Sequence, residues 1–304
     1  MQRDSQGCHE VEAQVVSPAM GSLELFQKHR PTLLGVAYRL LGSVSDAEDV
    51  LQETWLRWGS IDEAAVVDAK AWLSTTACRL CLDKLKSGQS RREVYPGPWL
   101  PEPVITDRSI DHASISLAFL VLLERLNPVE RATYLLHQVF DYSHREVAEM
   151  LELTEGAARQ VFHRAKEHVD AGRPRFAPSE ASHARMLTAF LSTLTSGDLS
   201  GLRQLLAEDA LLCADGGGKA KGAATHPIVG RERVAKFLLG LARRLGGAQA
   251  KTTIELVPIN GWPAIVVRQA GAVFAVINIE TDGEQILAVR NVINPEKLEL
   301  RTLS

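Results

Sequence analysis

The sequence holds no apolar run near the eighteen or so residues that a membrane-spanning helix needs. Its first twenty residues lack the basic start and apolar centre of a signal peptide. Cysteine is scarce, with Cys8, Cys78, Cys81 and Cys213 the four among 304 residues. Only Cys78 and Cys81 form a C-x-x-C, and no second pair or nearby histidine completes a zinc site. The surrounding AWLSTTACRLCLDKL has a helical pattern, which speaks against a redox motif and for packing cysteines in a reducing compartment. No metal and no cofactor are expected. These absences together predict a soluble cytoplasmic chain.

A surplus of positive charge is missing too. The net charge is −3, and residues 1–178 carry 20 Lys+Arg against 25 Asp+Glu, leaving 14 against 12 in residues 179–304. The first part is therefore −5 and the rest +2. So acidic a first part meets nucleic acid only through local basic patches, and needs a partner to hold it there. At 45% hydrophobic and 23% charged, the chain has the composition of a globular protein, and its length suits two or three domains.

Residues 22–93 follow a tail, 1–21, and read as helices. Phe26, Leu33, Ala37, Leu40 and Leu41 share one face, and Gly42 suits a C-cap. In SVSDAEDVLQETWLRW, Ser45 and Glu48 have capping-box spacing. Ala47, Val50, Leu51, Thr54 and Trp58 form the buried stripe, and Asp46, Asp49, Gln52 and Glu53 the opposite side. A third helix, about Lys70–Lys86, follows the acidic loop IDEAAVVD.

Residues 94–109 are a linker. Within it YPGPWLPEP has four prolines and a glycine in nine positions, which forbid a helix or a central strand. Trp99 and Leu100 nevertheless need cover from water. Residues 110–172 are helical again, with Asn127-Pro128 starting one helix. Ser143 and Glu146 then cap a short helix with Val147, Ala148 and Leu151 inward. After Glu152-Leu153-Thr154, a second helix buries Ala158, Val161, Phe162, Ala165 and Val169. Glu155, Arg159, Gln160, His163, Arg164 and Lys166 are left facing away. This is the pattern of a helix-turn-helix, whose Arg and Gln can pair with guanine and adenine edges while Arg164 and Lys166 meet phosphates.

A second linker, 173–181, precedes residues 182–304. Helical patterns in ASHARMLTAFLSTLTSG, LSGLRQLLAED and GRERVAKFLLGLARRL give way to four antiparallel strands, TTIELVPI, PAIVVRQ, AVFAVINIE and EQILAVRNVI. The breaks between them are Asn260-Gly261, Ala270-Gly271 and Asp282-Gly283. Both faces of the last two strands are apolar, so each needs cover. A curved sheet around helices, with a concave pocket, satisfies that. The chain has no internal repeat.

The run LNPVERATYLLHQVFDYSHREVAEMLELTEGAARQVFHRAKEHV resembles region 4 of sigma-70-type transcription initiation factors. LLGVAYRLLGSVSDAEDVLQETWLRW, followed by AWLSTTACRLCLDKLKSGQSRRE, resembles their region 2. Both in this order, with no third region between, resemble the extracytoplasmic-function class. The resemblance implies that Asp46, Asp49, Gln52, Glu53, Trp55 and Arg57 bind core RNA polymerase. It further implies that Lys84, Lys86, Arg91 and Arg92 follow the displaced strand at the −10 element, and that Arg159, Gln160, His163, Arg164 and Lys166 read the −35 element of promoter DNA.

A subgroup of that class has a C-terminal SnoaL-like domain with three signatures. They stand here as Trp99-Leu100-Pro101-Glu102-Pro103, Asp215-Gly216-Gly217-Gly218-Lys219 and Asn294-Pro295-Glu296-Lys297-Leu298, with Glu296 in place of Asp. The implied fold is multidomain: two all-α sigma domains, the first a helical bundle, then an α+β SnoaL-like cone related to nuclear-transport-factor folds. The expectation is that Trp99 and Leu100 dock near the Asp215 loop and Asn294, that Glu102 pairs with Lys219 or Lys297, and that the cone regulates the sigma regions in cis. Two other readings remain open: a SnoaL-type enzyme using Asp215, His226 or Asp209, or a sensor of a small ligand, fused to a DNA-binding module. A helix-turn-helix repressor would have no use for region 2. The free chain is expected to be a monomer without contact to membranes.

Overall fold

The computed structural model describes residues 18–62, 66–93, 95–106, 112–172, 178–220, 223–245 and 252–303, and of residues 18–20, 88–93, 112–113 and Leu245 the backbone alone. Three helices open it: α1 Pro18–Leu41, α2 Val44–Trp58 and α3 Ala69–Glu93. Gly42 ends α1 at φ 68°, with its N–H on the Tyr38 carbonyl at 2.7 Å, a left-handed close that favours glycine. The expected stripe of α2 is buried as read. Its cap differs: the N-cap is Ser43, whose hydroxyl accepts from the Asp46 N–H, so the Ser45–Glu48 box does not form. The local S-x-x-E pattern lies two residues too far in, and a distant carboxylate, described below, serves the true first turn.

The second helical set comprises α4 His112–Ile115, α5 Leu117–Leu123, α6 Pro128–Gln138, α7 His144–Leu151 and α8 Glu155–Gly172. Reciprocal capping boxes at Asn127/Glu130 and Ser143/Glu146 fix the starts of α6 and α7. Glu152, left-handed at φ 56°, makes the tight turn into α8. The two sets, separate in sequence, share a single core. Leu40 of α1, Leu73 and Cys78 of α3, Leu123 of α5, Leu135 of α6, Val147 of α7 and Ala165 of α8 lie in one apolar cluster. Polar ties reinforce it. Arg39 donates to the Ser114 carbonyl and hydroxyl at 3.0 and 3.1 Å, Arg131 to the Leu40 carbonyl at 2.8 Å, and Ser74 and Tyr142 hydroxyls meet at 2.8 Å.

Beyond residue 178 come α9 Glu180–Ser196, α10 Leu199–Leu205, β2 Leu206–Asp215, β3 Ile228–Val229, α11 Arg231–Leu245, β4 Thr252–Ile259, β5 Trp262–Gln269, β6 Ala272–Thr281, β7 Ile286–Val292 and β8 Arg301–Leu303. The four expected antiparallel strands are β4 to β7. LSGLRQLLAED, read as helix throughout, is helix only to Leu205, since alternation of buried Ala210, Leu212 and Ala214 makes the rest a strand. The sheet is larger than read. Its order is β3-β2-β7-β6-β5-β4-β1-β8, where β1 is Val104–Thr106 from the linker. β1 runs parallel to β8 and meets β4 at Ile105–Ile259; β2 is parallel to β7. The linker thus is extended as its prolines require, yet ends as a strand of the distant sheet. One sheet face packs on Leu187, Phe190, Val234 and Leu238 of α9 and α11; the other is covered by Leu100 and Leu298.

Candidate functional site: the linker and the faces it holds

Leu100 is 1% exposed, seated among Ala264, Val266, Val276 and Val292. Burying a leucine contributes about 1.5–3 kcal/mol. Its backbone is tied as well. The Leu100 N–H donates to an Asp215 carboxylate oxygen at 2.9 Å, and its carbonyl accepts from Lys297 Nζ at 2.6 Å. Lys297 and Asp215 pair at 2.8 Å with side chains only 8% and 0% exposed. The same ammonium lies 4.2 Å from the Trp99 ring centroid and 5.2 Å from that of Tyr95, a geometry that favours a desolvated cation. Tyr95 donates to the other Asp215 oxygen at 2.6 Å and accepts from the Asn294 amide at 2.9 Å. Burial, then the Asp215 carboxylate, push the Tyr95 hydroxyl pKa upward. Gly217 also gives its N–H to Asp215, at 3.1 Å. A Cβ on Gly217 would sit 2.5 Å from Asn294 Nδ2, with φ at 58°, so the glycine lets the two loops close. All three signature motifs therefore meet at one buried charge pair.

The linker's other side grips the helices. Trp99 lies over Gly42, where an added Cβ would come 2.5 Å from its Cη2. Glu102 does not pair with Lys219 or Lys297, as expected from charge. Its carboxylate caps α2, accepting from the Ser43 hydroxyl at 2.8 Å and the Val44 N–H at 2.7 Å. A carboxylate at a helix amino terminus satisfies open N–H groups and the macrodipole. Lys219 pairs instead with Glu296. Pro101 and Pro103 are buried on either side of Glu102, Pro295 opens a short turn to Lys297, and Gly216 and Gly218 flank Gly217 in the Asp215 loop, Gly218 under Pro96.

Several residues beyond the motifs complete the junction. Tyr38 donates to the Glu102 carbonyl and accepts from the Asn260 amide, both at 2.7 Å. Asn260 also donates to the Ile115 carbonyl at 3.1 Å and exchanges bonds with Val104 at 3.2 and 2.9 Å. One hairpin residue thus joins α1, α4, the linker and the sheet. At the C-terminus Arg301 pairs with Glu48 of α2, and Leu303 enters the helical core. Asn-Gly was a legible hairpin signal; nothing in the sequence marked Tyr38 or Arg301, and Glu48 was read as a capping residue instead.

The set expected to bind polymerase sits together on α2. Asp49, Gln52 and Arg57 are exposed, Asp46 and Glu53 half-buried, and Trp55 packs on Phe26 at 5.1 Å between ring centroids. Lys84, expected at DNA, here bridges Asp46 and Asp49 at 2.8 and 3.0 Å; Lys86 is exposed. The side chains of Arg91 and Arg92 lie outside the described residues. On α8, Arg159, Gln160, His163 and Arg164 are exposed and Lys166 half-buried. Arg159 pairs with Glu155, and Lys166 with Asp170 at 3.4 Å. Cys78 and Cys81 are buried free thiols; burial pushes Cys78 up to about 12. Among the described residues no His, Cys, Asp or Glu group suits a metal ion.

A helical bundle with an acidic face on α2, joined to a helix-turn-helix, is the arrangement of a sigma-70-type initiation factor. Comparison supports both halves: residues 25–92 match the model of Sigma-70 region 2, and residues 116–169 that of Sigma-70, region 4. Over 295 residues the chain is 36% identical to the ECF RNA polymerase sigma factor SigJ of Mycobacterium tuberculosis (strain H37Rv), covering 90% of this chain and 91% of that protein. It is 26% identical over 282 residues to the probable ECF RNA polymerase sigma factor SigI of the same organism, covering 90% and 93%. The crystal structure of SigJ superposes with a TM-score of 0.70 at 34% identity, over 90% of this chain and 97% of that one. The chain belongs to the extracytoplasmic-function (ECF) RNA polymerase sigma factors. Its partners are accordingly core RNA polymerase and promoter DNA.

Proposed function

We propose that the chain initiates transcription as an alternative sigma factor held closed by its own C-terminal domain. The carrying observation is that regions 2 and 4 share one core while Leu100 and Lys297 lock their linker into the sheet. Elements named for positions −35 and −10 lie about 25 base pairs apart, or about 85 Å at roughly 3.4 Å per pair. Two regions in contact span far less, so reading both elements requires them to part. Polymerase, gripping Asp46, Asp49, Gln52, Glu53, Trp55 and Arg57, supplies the binding energy for that opening. Arg159, Gln160, His163, Arg164 and Lys166 then meet the −35 element, and Lys84, Lys86, Arg91 and Arg92 the melted −10 strand. Lys84 must first leave Asp46 and Asp49.

In this reading the protein works in the cytoplasm as a monomer, and its cone is a clamp rather than a catalyst. Asp215 has both oxygens engaged by Tyr95, Leu100, Gly217 and Lys297, while His226 and Asp209 are exposed and do not join it. A small ligand forms no part of it. Run-off transcription with core polymerase tests the clamp. Trp99→Ala and Lys297→Met should each raise output from a cognate promoter several-fold at limiting polymerase. Unchanged or reduced output from both would show that the closed arrangement is not restraining.

A further inference from the structure

Helix α11 carries cations where helix electrostatics do not want them. The amino-terminal end of a helix is the positive end of its dipole, and favours acids. Yet Arg233 and Lys236 stand in its first two turns and are exposed, and Arg243 and Arg244 follow at the other end, also exposed. At about 100° per residue, all four fall within one stripe roughly 100° wide. The stripe runs about 16 Å along the axis, at about 1.5 Å per residue. The acid on its flank, Glu232, is engaged by Arg203. None of the four cations makes an ion pair among the described residues, whereas Arg203, Lys219, Arg268 and Arg301 of the same domain do.

The middle of the stripe is Gly240. It is exposed, and a Cβ added there would meet nothing within 4 Å. Glycine inside a helix costs about 1 kcal/mol relative to alanine, and neither packing nor a positive φ explains it here. A bare stretch of backbone between pairs of cations admits a close, flat, anionic surface. The opposite side of α11 is apolar, with Val234, Ala235, Leu238 and Leu239 buried against the sheet, so the stripe is held rigidly outward.

We propose that the α11 stripe of Arg233, Lys236, Arg243 and Arg244 binds the phosphate backbone of duplex promoter DNA, as a contact separate from regions 2 and 4. Charge favours that occupant. The sheet domain carries the chain's positive balance, +2 against −5 for residues 1–178, and a duplex presents a dense, regular line of phosphates. Such a contact positions the complex without reading sequence. The proposal rests on the sigma-factor function above, because it needs the polymerase complex to bring DNA to the stripe.

The test uses full-length protein assembled with core polymerase. Fluorescence anisotropy of a labelled promoter duplex gives affinity against salt, for wild type and for Arg233→Gln/Lys236→Gln/Arg243→Gln/Arg244→Gln. Each phosphate contact contributes about 0.9 to the slope of log affinity on log salt. The variant's slope should fall by about 2–4, and its affinity at low salt by ten- to a hundredfold. Its thermal unfolding and its affinity for core polymerase alone should match wild type. Wild-type slope and affinity in the variant would overturn the proposal. A variant that loses affinity for polymerase without DNA would overturn it too, and assign the stripe to an acidic surface of the enzyme. A wild-type chain that formed no polymerase complex would remove the function itself, and the stripe with it.

Discussion

At the scale of the residue, the junction depends on buried polar groups that are all answered. Lys297 neutralises Asp215, holds the Leu100 carbonyl and lies against two aromatic rings. Removing one member of such a pair leaves a buried charge alone, at about 3–5 kcal/mol. Tyr95 adds a pH dependence whose sign is fixed. Its pKa is raised by burial and by Asp215, so its contribution is complete below the unfolded tyrosine value of about 10. Above that value the unfolded chain ionises while the folded tyrosine does not, and stability falls as pH rises. Tyr95→Phe should therefore flatten the loss of urea midpoint between pH 8 and pH 10.5, leaving a smaller loss from Tyr38, Tyr142 and the thiols of Cys78, Cys81 and Cys213, all also raised by burial. Equal steepness in variant and wild type would contradict this. The motif residues Trp99, Asp215 and Asn294 were legible from resemblance, but their chemistry was not. Glu102 was matched to a lysine on net charge, whereas an open helix end 59 positions earlier won it. Long-range capping leaves no local pattern, since the helix shows only that its first N–H groups need an acceptor.

At the scale of the element, legibility followed locality. The stripe of α2, the Asn127 cap and the Ser143 capping box are written within one or two turns, and each stands where it was read, while in the stripe of α8 Val161 is half-buried at the edge of Ala158, Phe162, Ala165 and Val169. β2 was lost because LLAED continues a helical pattern, and only Ala210, Leu212 and Ala214 alternate after it. β1 and β8 have three residues each, too short to show any period. Their pairing is set by the junction, not by their own sequence. The turn between α1 and α2 is where the linker bears on region 2. Gly42→Ala forces a side chain into a left-handed backbone and against Trp99, at a cost of about 1–3 kcal/mol. The expected result is a lower urea midpoint and greater quenching of Trp99 fluorescence by acrylamide. Gly21→Ala, in α1 with nothing within 4 Å, serves as control and should leave the midpoint unchanged or raise it, by up to about 1 kcal/mol. Equal midpoints for both variants would mean that Trp99 does not bear on this turn.

At the scale of the whole molecule, the chain is closed through three routes at once: the shared core of regions 2 and 4, the strand β1 of the linker, and the C-terminal strand β8 with Leu303 in the helical core. Each route is modest, and a partner that favours the open form can displace them together. In the function proposed above, the protein carries within one chain the restraint that keeps its two DNA-reading faces together. The most direct test is the distance between those faces. Dyes on Leu56→Cys of α2 and His168→Cys of α8, both exposed positions, in a Cys8→Ser/Cys213→Ser background, report it by single-molecule energy transfer. High transfer in the free chain, low transfer in the polymerase–promoter complex, and a partial shift to low transfer in free Trp99→Ala would bear out a linker-latched closed state. High transfer persisting on the promoter would contradict it, because the two regions would then work without ever parting.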